Sequence, residues 1–208
     1  GKITGIVADN AIPQDAEKKD MKGAYAAPGL IDLQLYGSGG RLLSIDTDEA
    51  TLLQMETDLL AQGTTGFFPT ISTNTDEVIE ETIRVGRSYR EKCIGNFLGI
   101  HLEGPFLNAV RRGAHNADFI KKATLPLVKK WLDMADGVVK MMTIAPELQD
   151  REVIDYLHNN GVILSSGHSN ATYAEGKRFL NKPIPAVTHI YNAMPQMHHR
   201  DPGYIPAI

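Results

Sequence analysis

An α/β fold built on a parallel sheet is what this sequence predicts, and three observations predict it. Short apolar, β-branched runs alternate with longer segments whose apolar residues recur at helical spacing. Glycine closes several of these units, as at Gly37, Gly63 and Gly104. The chain has 208 residues, enough for one main domain with a sizeable core.

Residues 1–27 stand apart from this alternation. Ile3-Thr4-Gly5-Ile6-Val7 is a short strand candidate, and Asp15 to Lys22 is a polar charge cluster. These residues read as part of a small β subdomain, with residues 28–208 forming the main domain.

The first strand runs from Leu30 to Tyr36, and Gly37-Ser38-Gly39-Gly40 ends it as a flexible turn. Asp48 to Gln62 places Leu52, Met55 and Leu59 on one helical face. Thr64 to Thr70 is the second strand, and Asp76 to Glu91 the next helix, with Val78, Ile79, Ile83 and Val85 as its apolar residues. The third strand carries Phe97, Leu98, Ile100 and Leu102 and ends at Glu103, where Gly104-Pro105 stops it. A long polar loop follows through Asn116. Leu125 to Met134 is helical, Val138 to Ile144 a strand, and Arg151 to Asn160 a helix. Gly161 to Ser166, Ala171 to Leu180 and Ala186 to Ile190 complete the series as strand, helix and strand.

Six strands and five helices fit the first part of a (β/α)8 barrel, incomplete in this chain, which reaches Ile208 just after the sixth strand. A doubly wound open sheet is the alternative. It is disfavoured because Gly37-Ser38-Gly39-Gly40 has neither dinucleotide-binding spacing nor the Lys-Ser/Thr of a phosphate loop.

The net charge of −4 and the isolated basic pairs Arg111-Arg112, Lys121-Lys122 and Lys129-Lys130 argue against nucleic acid as a partner. No apolar run approaches membrane-spanning length and no signal peptide opens the chain. The single cysteine, Cys93, suits a reducing cytoplasm and reads as an inert thiol.

A buried carboxylate at a strand end needs partners. Glu103 finds candidates in His168 and His189, which also sit where apolar runs give way to polar residues. One Glu and two His at strand ends are the ligand set of a catalytic zinc site with an open position. Such a site activates water and polarises a carbonyl, and it needs a general base. Asp32 does not supply one convincingly, because Leu33-Gln34 follows it.

Ala27-Pro28-Gly29-Leu30-Ile31-Asp32 resembles the opening of the amidohydrolase superfamily, in which many members continue with His-x-His to bind a second metal. Gln34 and Tyr36 occupy those places here, which implies a single ion. His101-Leu102-Glu103-Gly104-Pro105, Gly167-His168-Ser169-Asn170-Ala171 and Thr188-His189-Ile190-Tyr191-Asn192-Ala193-Met194-Pro195 together resemble the N-acetylglucosamine-6-phosphate deacetylase family.

The resemblance implies Glu103, His168 and His189 as ligands of one divalent metal, most simply zinc. It implies that Ala114 and His115 contact substrate, with His115 polarising the acetyl carbonyl; the local sequence alone gives His115 as an exposed loop residue. Asn192 and Ala193 match sugar contacts, and Arg200 matches an arginine that grips the substrate phosphate across a homodimer interface. His198 and His199 match no family site and read as solvated loop residues. The resemblance places the catalytic aspartate and the closing strands beyond the equivalent of Ile208. Deacetylation of another N-acetyl amino sugar is one alternative, and non-catalytic binding of a sugar phosphate is the other.

Overall fold

The computed structural model describes residues 3–181 and 183–208. Its centre is a six-stranded, wholly parallel sheet made of β1 (Leu30–Leu35), β4 (Thr64–Ser72), β5 (Ile100–Glu103), β6 (Val139–Ile144), β7 (Ile163–Ser166) and β8 (Ala186–Val187). The order in the sheet is the order in the chain. A doubly wound sheet reverses direction at a switch point; here every strand is added at the same edge, as in a barrel. The remaining strands, β2 (Gly37–Ser38) and β3 (Arg41–Leu42), form a small antiparallel hairpin.

That hairpin corrects the expectation of a simple flexible turn after the first strand. Gly39 and Gly40, at φ 60° and 82°, form the two-residue connection. A type I′ turn, one of the two whose twist matches the flanking strands, has positive φ at both central positions, which two glycines supply without steric cost.

Among the described residues five α-helices connect the parallel strands: α1 (Glu49–Ala61), α2 (Asp76–Arg90), α3 (Leu125–Ala135), α4 (Arg151–Asn159) and α5 (Tyr173–Phe179). Their ends follow local chemistry. The Asp48 carboxylate accepts from the Thr51 N–H, Thr75 caps α2 through the Val78 N–H, and Thr172 with Glu175 forms a reciprocal capping box on α5. Successive helices α1 to α4 pack on one another along one face of the sheet.

The core lies between that helical layer and the sheet. Leu52 and Met55 of α1, Ile79 and Ile83 of α2, Trp131 of α3 and Ile154 of α4 meet Phe67, Ile71, Ile100, Leu102, Met142 and Leu164 from the strands. Each such side chain contributes about 1.5–3 kcal/mol by leaving water. The Phe106 and Trp131 rings stack with centroids 5.5 Å apart.

The other face is concave. Gln34 on β1 and His189 just past β8 both reach the same oxygen of Glu103, at 2.7 and 2.8 Å. In a flat sheet those two edges would lie about 24 Å apart, five strand spacings. The sheet is therefore curled into half of a (β/α)8 barrel.

Two boundaries differ from the sequence expectation. Ile3–Val7 forms no strand, because no second strand lies beside it among the described residues, and Ile6 is 99% exposed. The subdomain expected over 1–27 also begins with two residues outside the described ones. The last strand is Ala186–Val187 rather than Ala186–Ile190, because the backbone turns left-handed at His189 and the Asn192 N–H closes a turn onto the His189 carbonyl at 2.7 Å.

Candidate active site

Curling the sheet gathers the carboxyl ends of its strands, and side chains from β1, β5, β7 and β8 converge there on Glu103. Glu103 is the last residue of β5 and is 1% exposed. Its Oε1 accepts from Gln34 Nε2 at 2.7 Å and faces His189 Nε2 at 2.8 Å and His168 Nε2 at 3.3 Å. Its Oε2 accepts from the Tyr36 hydroxyl at 2.5 Å and faces His115 Nε2 at 3.4 Å. Burial alone would raise the carboxyl pKa. Hydrogen bonds from His115, His168 and Tyr36 overcome that, and Glu103 titrates well below the usual carboxylate range.

His168 and His189 arrive by the same local device. Each lies two residues beyond its strand, after Ser166 of β7 and Val187 of β8, and each has a left-handed backbone, with φ of 47° and 56°. The reversal of backbone direction turns each ring inward over the strand ends. His168 is further fixed by its Nδ1, which donates to the Arg111 carbonyl at 2.9 Å. A carbonyl only accepts, so Nδ1 carries a proton, and Nε2, which faces the Glu103 carboxylate, is the nitrogen that would turn to a metal ion on giving up its own proton.

His115 is held the other way. Its Nδ1 accepts from the Thr73 backbone N–H at 3.2 Å, so the Nε2 proton points at Glu103. The residue is 7% exposed, which corrects its reading from local sequence as an exposed loop histidine. The polar loop folds back over the strand ends, anchored by the Asn108 N–H on the His168 carbonyl at 2.9 Å.

The arrangement can hold a metal ion. Ligand atoms of Glu103, His115 and His168 lie within 4.8 Å of one another, and His189 Nε2 lies against the same carboxylate. The donor chemistry fits a divalent cation: a buried, ionised carboxylate with imidazole nitrogens around it. Burial alone would lower the His168 pKa, but the hydrogen bond to Glu103 raises it, so the space between them favours positive charge. Among the four, the ring tautomer sets His115 apart as a donor.

Beside this cluster lies a cavity of about 390 Å³, lined by Tyr36, Leu42, Ser44, Thr70, Ser72, Glu103, Ala114 and His115. Ala114 thus stands next to His115 at the cavity wall. Asn192, Ala193 and Arg200 do not line it; Asn192 and Arg200 are exposed on the segment after β8. His198 and His199 are exposed, with ring centroids 4.1 Å apart.

Sequence reasoning missed the part played by Gln34 and Tyr36, which donate to Glu103. Their i, i+2 spacing at the end of β1 puts both on its concave side, and that signal was available. Burial raises the Tyr36 pKa, and the hydrogen bond to Glu103 and its charge raise it further, so the phenol keeps its proton.

No family model matches the chain. The N-acetylglucosamine-6-phosphate deacetylase of Haemophilus influenzae is 36% identical over 213 residues, covering 99% of this chain and 55% of the relative. The crystal structure of the Pasteurella multocida deacetylase of the same name superposes with a TM-score of 0.88 at 33% identity, over 99% of this chain and 54% of that one. An aspartate-to-alanine mutant of the Mycobacterium smegmatis deacetylase, in complex with N-acetyl-D-glucosamine-6-phosphate, matches with a TM-score of 0.74 at 31% identity, over 86% of this chain and 47% of that one. The chain spans about half the length of the curated relatives it matches.

Proposed function

Because the chain is homologous over nearly its whole length to the N-acetylglucosamine-6-phosphate deacetylases, we propose that it takes part in hydrolysing the acetyl amide of N-acetylglucosamine-6-phosphate. Acetate and glucosamine-6-phosphate are the products. The observation that carries this reading is the convergence of His168 and His189 on buried Glu103, with His115 presenting an N–H to the same place.

In this reading Glu103, His168 and His189 hold one divalent ion, most simply zinc, with a coordination position left open. When bound, such an ion supplies activation of a water and polarisation of a carbonyl. Gln34 and Tyr36 favour a single ion, because they offer hydrogens rather than lone pairs toward the cluster. The His115 Nε2–H is aimed to donate to the acetyl oxygen as negative charge develops there, and Thr73 keeps that proton in place. Ala114 narrows the cavity beside the acetyl group. Asn192 and Ala193 contact the sugar, and exposed Arg200 binds the phosphate at the interface of a homodimer.

Exposed Ile3, Ile6 and Val7 support assigning residues 1–27 to a separate small β subdomain. The free thiol of Cys93 fits a cytoplasmic setting, and among the described residues no helix is long and apolar enough to cross a membrane.

Incubating the protein with N-acetylglucosamine-6-phosphate and assaying acetate tests the proposal. Release that falls sharply when the 6-phosphate is removed supports it. Equal turnover of the unphosphorylated sugar would shift the reading to another N-acetyl amino sugar, and binding without acetate would shift it to a sugar-phosphate binding protein.

A further inference from the structure

Below the Glu103 cluster, the concave face carries polar side chains where barrel interiors are filled mainly by Val, Ile and Leu. His101, Thr143 and Ser165 are wholly buried, and Thr188 is nearly so. Their hydrogen bonds have a single direction. His101 Nδ1 lies 3.0 Å from the Leu33 carbonyl, which only accepts, so Nδ1 carries the proton and Nε2 accepts. The Thr143 hydroxyl, 2.8 Å from Nε2, must then donate to it. That commits the Thr143 oxygen to accept from the Thr188 hydroxyl at 2.8 Å, and the Thr188 oxygen to accept from Ser165 at 2.7 Å. The chain Ser165, Thr188, Thr143, His101, Leu33 thus ties β7, the end of β8, β6, β5 and β1 together from inside.

Its members stand next to the residues that meet above them. Thr143 is the register partner of Glu103 on β6, and His101 precedes Glu103 by two residues on the same strand. Thr188 immediately precedes His189. A fully satisfied buried polar network specifies one geometry more sharply than an apolar layer, whose members can slide. We infer that this hydrogen-bond chain positions the metal ligands, fixing the separation of β5, β6 and β8 so that His189 Nε2 and Glu103 Oε1 meet. The inference rests on the reading of Glu103, His168 and His189 as ligands. Thr143 is its central positioning residue, touching neither the ion nor the substrate.

Titration of the metal-free protein with Zn²⁺ in competition with a chromogenic chelator tests this, with Co²⁺ absorption as a second readout. Thr143→Val keeps the side-chain shape and removes the hydroxyl, breaking the chain at its middle. Its Zn²⁺ dissociation constant should rise about 10- to 100-fold, the range seen when outer groups that orient metal ligands are lost. Thr143→Ser should restore wild-type affinity and the wild-type Co²⁺ spectrum, which a purely space-filling role would not. A folded Thr143→Val variant with wild-type affinity overturns the inference. If that variant does not fold, Ser165→Ala decides: several-fold weaker binding supports the chain, and unchanged binding overturns it. Wild type that binds no Zn²⁺, or a His168→Ala variant that binds as tightly as wild type, would instead overturn the ligand reading itself.

Discussion

His168 and His115 face one carboxylate with their Nδ1 atoms held in opposite ways. His168 spends its Nδ1 proton on the Arg111 carbonyl, whereas His115 Nδ1 receives the Thr73 N–H. Their rings sit only 4.4 Å apart between centroids, so proximity alone would give them the same role. The backbone groups behind them give them different ones: His168 keeps a proton on Nδ1 and can release the one on Nε2 to a metal ion, whereas His115 has its only proton on Nε2.

The two alanine variants should therefore separate. His168→Ala should lose bound metal on dialysis, while His115→Ala should keep it and lose about 10²-fold in kcat, the usual cost of one donor to a developing oxyanion. Metal analysis and acetate release on both variants check this. Equal metal loss in both would mean His115 is a ligand after all.

Tyr36→Phe removes the shortest contact to Glu103 Oε2, at 2.5 Å, and leaves the ring in place. The carboxylate then loses its shortest anchor on Oε2, and metal affinity should fall about tenfold. Chelator competition measures it; affinity equal to wild type would show that Gln34 alone orients Glu103.

Acid stability should depend on a carboxylate remote from the cluster. Glu56 on α1 is fully buried and accepts from the backbone N–H groups of Ile94, Gly95 and Asn96 at 3.0 to 3.1 Å, and from the Tyr89 hydroxyl. Burial would raise its pKa, but these hydrogen bonds together hold it below the ordinary 4.5. A depressed folded pKa means the stabilisation is fully present above pH 4.5 and is lost as pH falls through the folded value. Glu56→Gln should cost about 1–3 kcal/mol at pH 7. The gap to wild type should narrow as pH falls below 4.5 and through the folded pKa, as thermal melts across pH can show.

On the proposed phosphate role, Arg200→Ala should raise KM for the phosphorylated sugar about tenfold or more with kcat little changed, because such a contact would act equally in ground and transition states. Steady-state kinetics with and without the 6-phosphate check it. An unchanged KM would remove the phosphate role.

Much of the architecture was legible because its signals are local. Leu52, Met55 and Leu59 repeat at helical spacing and are all buried on α1. Asp48 and Gln62, expected as helix ends, are its caps. Glu103, His168 and His189 could be picked out because each ends an apolar run. What was not legible depends on contacts distant in sequence. His115 is buried by a loop whose composition is that of a solvated one, and Tyr36 meets a residue 67 positions away. Ile3–Val7 has the composition of a strand, but composition cannot supply the neighbour that a strand must pair with.

The left-handed backbone at His168 and His189 sets stability against chemistry at the same two positions. Glycine adopts φ near +50° without a steric cost, while a β-carbon there is disfavoured by about 1 kcal/mol or more. Relief of backbone strain alone would favour glycine at both sites. Glycine would also remove both imidazoles. Design that relaxes strained backbone therefore has to exempt these two residues, since the substitution that eases φ there removes the rings that meet at Glu103.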